Sequence, residues 1–127
     1  MDVDAAALRW AEVWERAWPS RDIESITALY APSASYRALA FREPTSPRSY
    51  LEDTFAGESE VECRFGRPVA NGDRAAVEWW ASWLENGEPL TLAGVTVLRF
   101  DDAGLVVDHR DYWNETAERE PPYSGWT

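Results

Sequence analysis

The sequence predicts an α+β domain in which three N-terminal helices pack on a curved, mostly antiparallel sheet that follows them. Apolar residues recur every three to four positions before Gly57 and every second position from Glu60 onward. Asn71-Gly72, Asn86-Gly87 and Asp101-Asp102-Ala103-Gly104 then cut the second half into hairpins. With 127 residues, 45% of them hydrophobic, the chain has the length and composition of one domain around one core. That domain is expected to span 1–127, with its core over about 5–115 and an irregular tail over 116–127 carrying Pro121, Pro122 and Gly125.

The first helix is expected from about Asp4, as its cap, to Trp18, stopped by Pro19. Trp10, Trp14 and Trp18 make its apolar stripe, flanked by Leu8, Val13 and Ala17. A shorter helix should run from an Asp22 cap to Tyr30, ended by Pro32. A short strand, Ala34 to Leu39, places Tyr36 and Ala38 on one face and Ser35 and Arg37 on the other. Ser46-Pro47 opens a third helix that carries Tyr50, Leu51, Thr54 and Phe55 and ends at Gly57. Strands then follow over about Glu60–Val69, Ala75–Leu84, Leu90–Phe100 and Leu105–Trp113. A curved sheet that meets helices with one face forms a cone, and such cones tend to stay hollow at the wide end.

Charge narrows the function. Twelve basic residues, all arginine, stand against 23 acidic ones, a net charge of −11 that repels phosphate backbones and argues against a nucleic-acid partner. No apolar run reaches the ~20 residues of a membrane span, and the acidic start Met1-Asp2-Val3-Asp4 does not resemble a signal peptide. Cys63 is the sole cysteine and His109 the sole histidine, so neither a disulfide nor a transition-metal site is expected, and a reducing cytoplasm is the expected setting. Eight tryptophans point to an aromatic core or cavity wall.

The stretch Leu92-Ala-Gly-Val-Thr-Val-Leu-Arg-Phe-Asp-Asp-Ala-Gly-Leu-Val-Val-Asp-His-Arg-Asp-Tyr-Trp-Asn114 resembles the closing hairpin of SnoaL-like proteins, within the nuclear transport factor 2-like superfamily. The tryptophan-bearing first helix and the short acidic-capped helix ending Leu29-Tyr30-Ala31-Pro32 add to the resemblance. It implies a cone-shaped α+β barrel enclosing a pocket for an apolar oxygenated small molecule. The superfamily includes ketosteroid isomerase, polyketide cyclases, an epoxide hydrolase, dehydratases and non-catalytic binding proteins, so function has to come from the site.

In the last strand His109, Asp111 and Trp113 share one face. The resemblance to the cyclases and to limonene epoxide hydrolase places the catalytic carboxylate on Asp111. In an aromatic hollow it would be poorly hydrated, which favours a base able to take a proton from carbon or from water. The alternative is a structural salt bridge to Arg37 or Arg99. His109 and Tyr36 are candidates to polarise a substrate oxygen; otherwise both are core residues. Trp10, Trp14 and Trp113 are expected to line the pocket. Glu78 joins them only if its face of the middle strand points inward, and whether Glu78 and Trp80 or Trp79 and Trp83 face the hollow stays open. The Arg-x-Asp pair of the epoxide hydrolase is missing from Val77-Glu-Trp-Trp-Ala-Ser-Trp83, and asparagine is missing from Tyr36-Arg37-Ala38. The first helix has no tyrosine to serve as in ketosteroid isomerase. The reading is therefore a cofactor-free isomerase, cyclase or dehydratase with Asp111 as base, or a non-catalytic small-molecule-binding or scaffold protein. A tryptophan on the outer sheet face would be costly to expose, which leads to the expectation of a homodimer through that face.

Overall fold

A computed structural model describes residues 1–126. Its elements, in chain order, are helix α1 (Val3–Ser20), α2 (Ile23–Thr27), strand β1 (Tyr30–Ala38), α3 (Pro47–Phe55), and then β2 (Glu58–Phe65), β3 (Val69–Asn71), β4 (Arg74–Glu85), β5 (Glu88–Phe100) and β6 (Val106–Thr116). The strands form one sheet in the order β1-β6-β5-β4-β2, with β3 also paired to β4. Every pairing is antiparallel except β1 with β6, which is parallel. The helices lie against one sheet face and enclose the core between them.

Local chemistry accounts for the boundaries, including those that differ from the sequence-based expectation. The cap of α1 is Asp2, whose carboxylate accepts from the Ala5 N–H, so Asp4 falls in the first turn, where its charge meets the helix dipole. The helix also runs through Pro19. Proline there removes only the bond that its own nitrogen would give to the Glu15 carbonyl, and Cys63 Sγ contacts that carbonyl at 3.5 Å instead. Arg21, in the left-handed conformation, closes the helix. Leu8 falls outside the buried stripe and is exposed.

Asp22 caps α2 as expected, but the helix ends at Thr27 and Tyr30 opens β1. Tyr30 pairs with Val106 and Ser35 with Asp108, so the strand bulges around Pro32, where an edge strand tolerates a residue without an N–H. At Asn86-Gly87 both residues have positive φ, the geometry of a tight hairpin turn. The preceding turn is centred on Gly72-Asp73, one residue later than the Asn-Gly pair suggests.

Gly94 lies on β5 directly against Tyr112 and Trp113 of β6. A Cβ at this position would run into the Tyr112 carbonyl oxygen and Trp113 Cβ. Since one of those atoms is backbone and cannot swing away, Gly94→Ala is expected to cost about 2 kcal/mol. A thermal melt would register it as a drop of several degrees.

On β4, Trp79 and Trp83 are buried on the helix side, whereas Glu78 is exposed on the outer face beside Trp80. Trp80 is nonetheless covered, by the chain itself. Residues 117–126 cross the outer face, where Trp80 Nε1 donates to the Glu120 carbonyl at 2.8 Å and Tyr123 and Trp126 meet its ring edge-on. Thr91 Oγ1 donates to the Glu118 carbonyl, Arg119 donates to the Glu60 carbonyl at 2.7 Å, and the Arg64 guanidinium lies over Trp126. The cost of an exposed outer tryptophan, the ground for expecting a dimer, is thus met within one chain. No helix among the described residues is long and apolar enough to cross a membrane.

Candidate functional site

Between the helices and the inner sheet face lies a cavity of about 340 Å³. Trp10, Trp14 and Trp18 line it from α1, Tyr50 and Asp53 from α3, and Trp79 and Trp83 from β4. Strand pairing orders its rows: Asp111 lies opposite Thr96, Trp113 opposite Gly94, and Glu115 opposite Leu92. The sequence-predicted residues Asp111, His109, Tyr36, Trp10, Trp14 and Trp113 are therefore brought together. Glu78 is not: the alternation of β4 turns its side chain to the opposite face.

The innermost groups form a hydrogen-bond chain whose direction follows from counting donors. Trp10 Nε1 and Trp14 Nε1 both donate to the Tyr30 hydroxyl oxygen, at 3.0 and 3.2 Å. An indole N–H can only donate, so the Tyr30 proton must point elsewhere, and its remaining partner is His109 Nδ1 at 2.8 Å. His109 Nδ1 is thus an acceptor, the ring proton sits on Nε2, and Nε2 donates to Asp111 Oδ1 at 2.8 Å. A second branch arrives from β4 and β5. Trp79 Nε1 donates to Thr96 Oγ1 at 2.8 Å, and Thr96 Oγ1 donates to the same Asp111 Oδ1 at 2.6 Å. Both branches end on one oxygen. A proton taken up by Asp111 must therefore go to Oδ2, which carries none of these bonds.

Neither Arg37 nor Arg99 pairs with Asp111; Arg37 donates to the Arg42 carbonyl, and Arg99 is exposed. Asp111 is 5% exposed and His109 1%. Tyr36 stacks on the His109 ring, with centroids 3.6 Å apart, and Tyr50 stacks on Tyr36 at 4.3 Å. Burial and then the nearby Asp111 carboxylate push the Tyr36 phenol well above its ordinary pKa, so it keeps its proton and stays a donor. Tyr30 is raised in the same direction, chiefly by burial.

A second acidic group was not singled out from the sequence. Glu58 lines the cavity, is 7% exposed and accepts from Trp18 Nε1 at 2.8 Å. The period-two pattern of Val61, Cys63 and Phe65, extended backward, points Glu58 outward. Glu60, at positive φ, creates a bulge between Ser59 and Glu62 that reverses the alternation and turns Glu58 inward. Burial pushes its pKa up to about 7, against the pull of the Trp18 hydrogen bond. The folded chain then holds a proton that the unfolded chain gives up near pH 4.5. Stability should accordingly fall as pH rises from about 4.5 to about 7, by roughly 3 kcal/mol from this group, and level off above. Glu58→Gln keeps an oxygen for Trp18 and is expected to remove that slope when urea midpoints of variant and wild type are compared across pH.

Residues 8–109 match the SnoaL-like domain family. A cyclase, aurE, of Calcarisporium arbuscula is 26% identical over 100 residues, which cover 72% of this chain and 74% of the relative. Two solved structures show the same fold. One is a Catenulispora acidiphila protein with a ketosteroid isomerase-like fold in complex with trimethylamine, with a TM-score of 0.71 and 18% identity, covering 81% of this chain and 83% of that one. The other is the epoxide hydrolase/cyclase-like enzyme SalBIII, described as acting in pyran ring formation in the polyether salinomycin, with a TM-score of 0.74 and 19% identity, covering 89% of this chain and 93% of that one. With four-fifths of its length matched and its helices laid on a curved sheet of this topology, the chain belongs to the SnoaL-like family and has the nuclear transport factor 2-like fold.

Proposed function

We propose that the cavity binds an apolar, oxygen-bearing small molecule and that Asp111 acts there as general base in an isomerisation, cyclisation or dehydration. The observation that carries this reading is the convergence of Thr96 and His109 on Oδ1, which holds the carboxylate fixed and leaves Oδ2 to take the proton. A base held by two donors needs no reorganisation when the proton moves. Tyr36, kept protonated by burial and by the Asp111 carboxylate beside it, would donate to the substrate oxygen on which charge develops. His109 holds Asp111 in place rather than relaying a proton, because its Nδ1 is already committed to the Tyr30 hydroxyl. Isomerisation and cyclisation balance with proton transfer and bond rearrangement within the substrate, and dehydration with the loss of a proton and a hydroxyl group as water, so the proposed chemistry uses no cofactor.

The similarity to a cyclase and to a cyclase-like enzyme supports the same class of reaction. Two donors that fix one oxygen of a carboxylate lining the cavity support chemistry over storage. The test begins with a thermal-shift screen of polycyclic ketones, lactones and terpenoids, in which a bound compound raises the melting temperature by mass action. Turnover of the hits is then compared between the wild type and Asp111→Asn.

A further inference from the structure

The opposite end of the cavity from Asp111 has a chemistry of its own. Glu58 and Glu85 are cross-strand partners on β2 and β4, and both line the cavity. Like charges placed directly opposite each other repel, yet among the described residues neither carboxylate forms a salt bridge. Arg21 donates to the Glu58 backbone carbonyl, and its charge acts on the Glu58 carboxylate only as the smallest of the influences on it. Each carboxylate is instead held on one oxygen by an indole edge: Trp18 Nε1 to Glu58 Oε1 at 2.8 Å and Trp83 Nε1 to Glu85 Oε1 at 3.0 Å. The second oxygen of Glu58, on a side chain more than nine-tenths buried, meets no protein donor among the described residues. The two rings themselves lie 5.6 Å apart and tilted by 49°. Carboxylates without a cationic partner attract an organic cation through charge, and the indole rings add to this wherever the cation reaches a ring face. At the mouth Asp53 and Glu115 add further negative charge, and Arg42, the one arginine lining the cavity among the described residues, already lies over the Trp113 ring at 5.2 Å.

We propose that the Glu58–Glu85 end of the cavity receives a positively charged organic group, an alkylammonium or quaternary ammonium, whose hydrocarbon remainder lies along the tryptophans towards Asp111. This rests on the reading of the cavity as a small-molecule site and adds the charge of its ligand. A metal ion does not suit the place: two carboxylates framed by indoles offer too few oxygen ligands, and among the described residues no group of three His, Cys, Asp or Glu could hold one. The groups around Glu58 are Glu85 on β4, Arg21 at the end of α1, Tyr50 and Asp53 on α3, and Cys63 on its own strand. Of these, Tyr50 and Cys63 are held in their neutral, protonated forms by burial, the Cys63 thiol being pushed up to about 12. Glu58 itself ionises near pH 7, so a permanent cation should bind more tightly as pH rises through that point.

The probe pair is choline and 3,3-dimethylbutan-1-ol, which share a shape and differ in charge. Binding is followed by tryptophan fluorescence and calorimetry at pH 6 and pH 8. Choline is expected to bind about tenfold more tightly at pH 8, as Glu58 goes from about one-tenth to nine-tenths ionised. In Glu58→Gln, which retains the acceptor for Trp18, the pH effect should vanish and affinity at pH 8 should fall about tenfold, while the alcohol binds both proteins alike. Equal affinity for choline and the alcohol, or a choline affinity indifferent to pH and to Glu58→Gln, would overturn the cation and leave the small-molecule cavity standing. If neither probe binds while hits from the thermal-shift screen do, the cation fails alone. If nothing binds, both readings fail together.

Discussion

Asp111→Asn is expected to abolish turnover of any compound the protein converts, by about 10²- to 10⁴-fold, while leaving the fold intact. Asparagine retains a carbonyl oxygen to accept from Thr96 Oγ1 and His109 Nε2, so both buried donors stay satisfied. What changes is the second position, where an amide nitrogen replaces the oxygen that would take up the proton. Affinity for the compound should change little if the carboxylate serves the reaction rather than the contact. Asp111→Ala separates the two roles less cleanly, because it leaves the histidine N–H and the threonine hydroxyl without an acceptor at about 1–3 kcal/mol each. The decisive measurement is kcat for Asp111→Asn beside its melting temperature. Full activity in a correctly folded variant would remove Asp111 from the chemistry.

Tyr30→Phe is expected to produce the largest loss of stability from removal of a single oxygen. That oxygen accepts from two indole N–H groups and its proton fixes His109, so its loss strands donors on Trp10 and Trp14 in a dry interior. A cost of about 3 kcal/mol follows from ordinary penalties for unpaired buried polar groups, equivalent to roughly 10 °C in Tm for a domain of this size. A second readout is specific to the network. Nitrogen chemical shifts of the imidazole should report the Nε2–H form in both proteins, held by Asp111, with the Nδ1 signal moving in the variant to that of a nitrogen that has lost its hydrogen-bond donor. A stable variant with an unchanged imidazole spectrum would contradict the donor count on which the direction of the chain rests.

The parts of this site that were legible in the sequence are those fixed by local periodicity. The four-residue spacing of Trp10, Trp14 and Trp18 specifies one helix face, and the two-residue spacing of His109, Asp111 and Trp113 specifies one strand face, whatever surrounds them. The parts that were hidden depend on contacts distant in sequence. Tyr30 reads as the end of a helix because the strand it opens is made chiefly by parallel pairing with β6, distant in sequence. Thr96 looks like any β-branched residue of a buried strand until Asp111 is placed opposite it. Glu58 was concealed by one positive φ at Glu60, since a single bulge exchanges the two faces of everything before it. Glu78 was ambiguous for another reason. Strand β4 is covered on both sides, by helices and cavity on one and by the chain's own tail on the other, so the apolar–polar alternation that would mark an inside is diluted.

The tail over Trp80 acts as a tethered competitor. Joined to β6 by a few residues, it faces the outer sheet at an effective concentration of millimolar order, far above that of any free molecule seeking the same ground. A second copy backing onto this face must first peel away the contacts of Glu120, Tyr123 and Trp126 with Trp80. Self-association through the sheet is therefore governed less by how apolar the face is than by how firmly ten residues of the same polypeptide hold their seat.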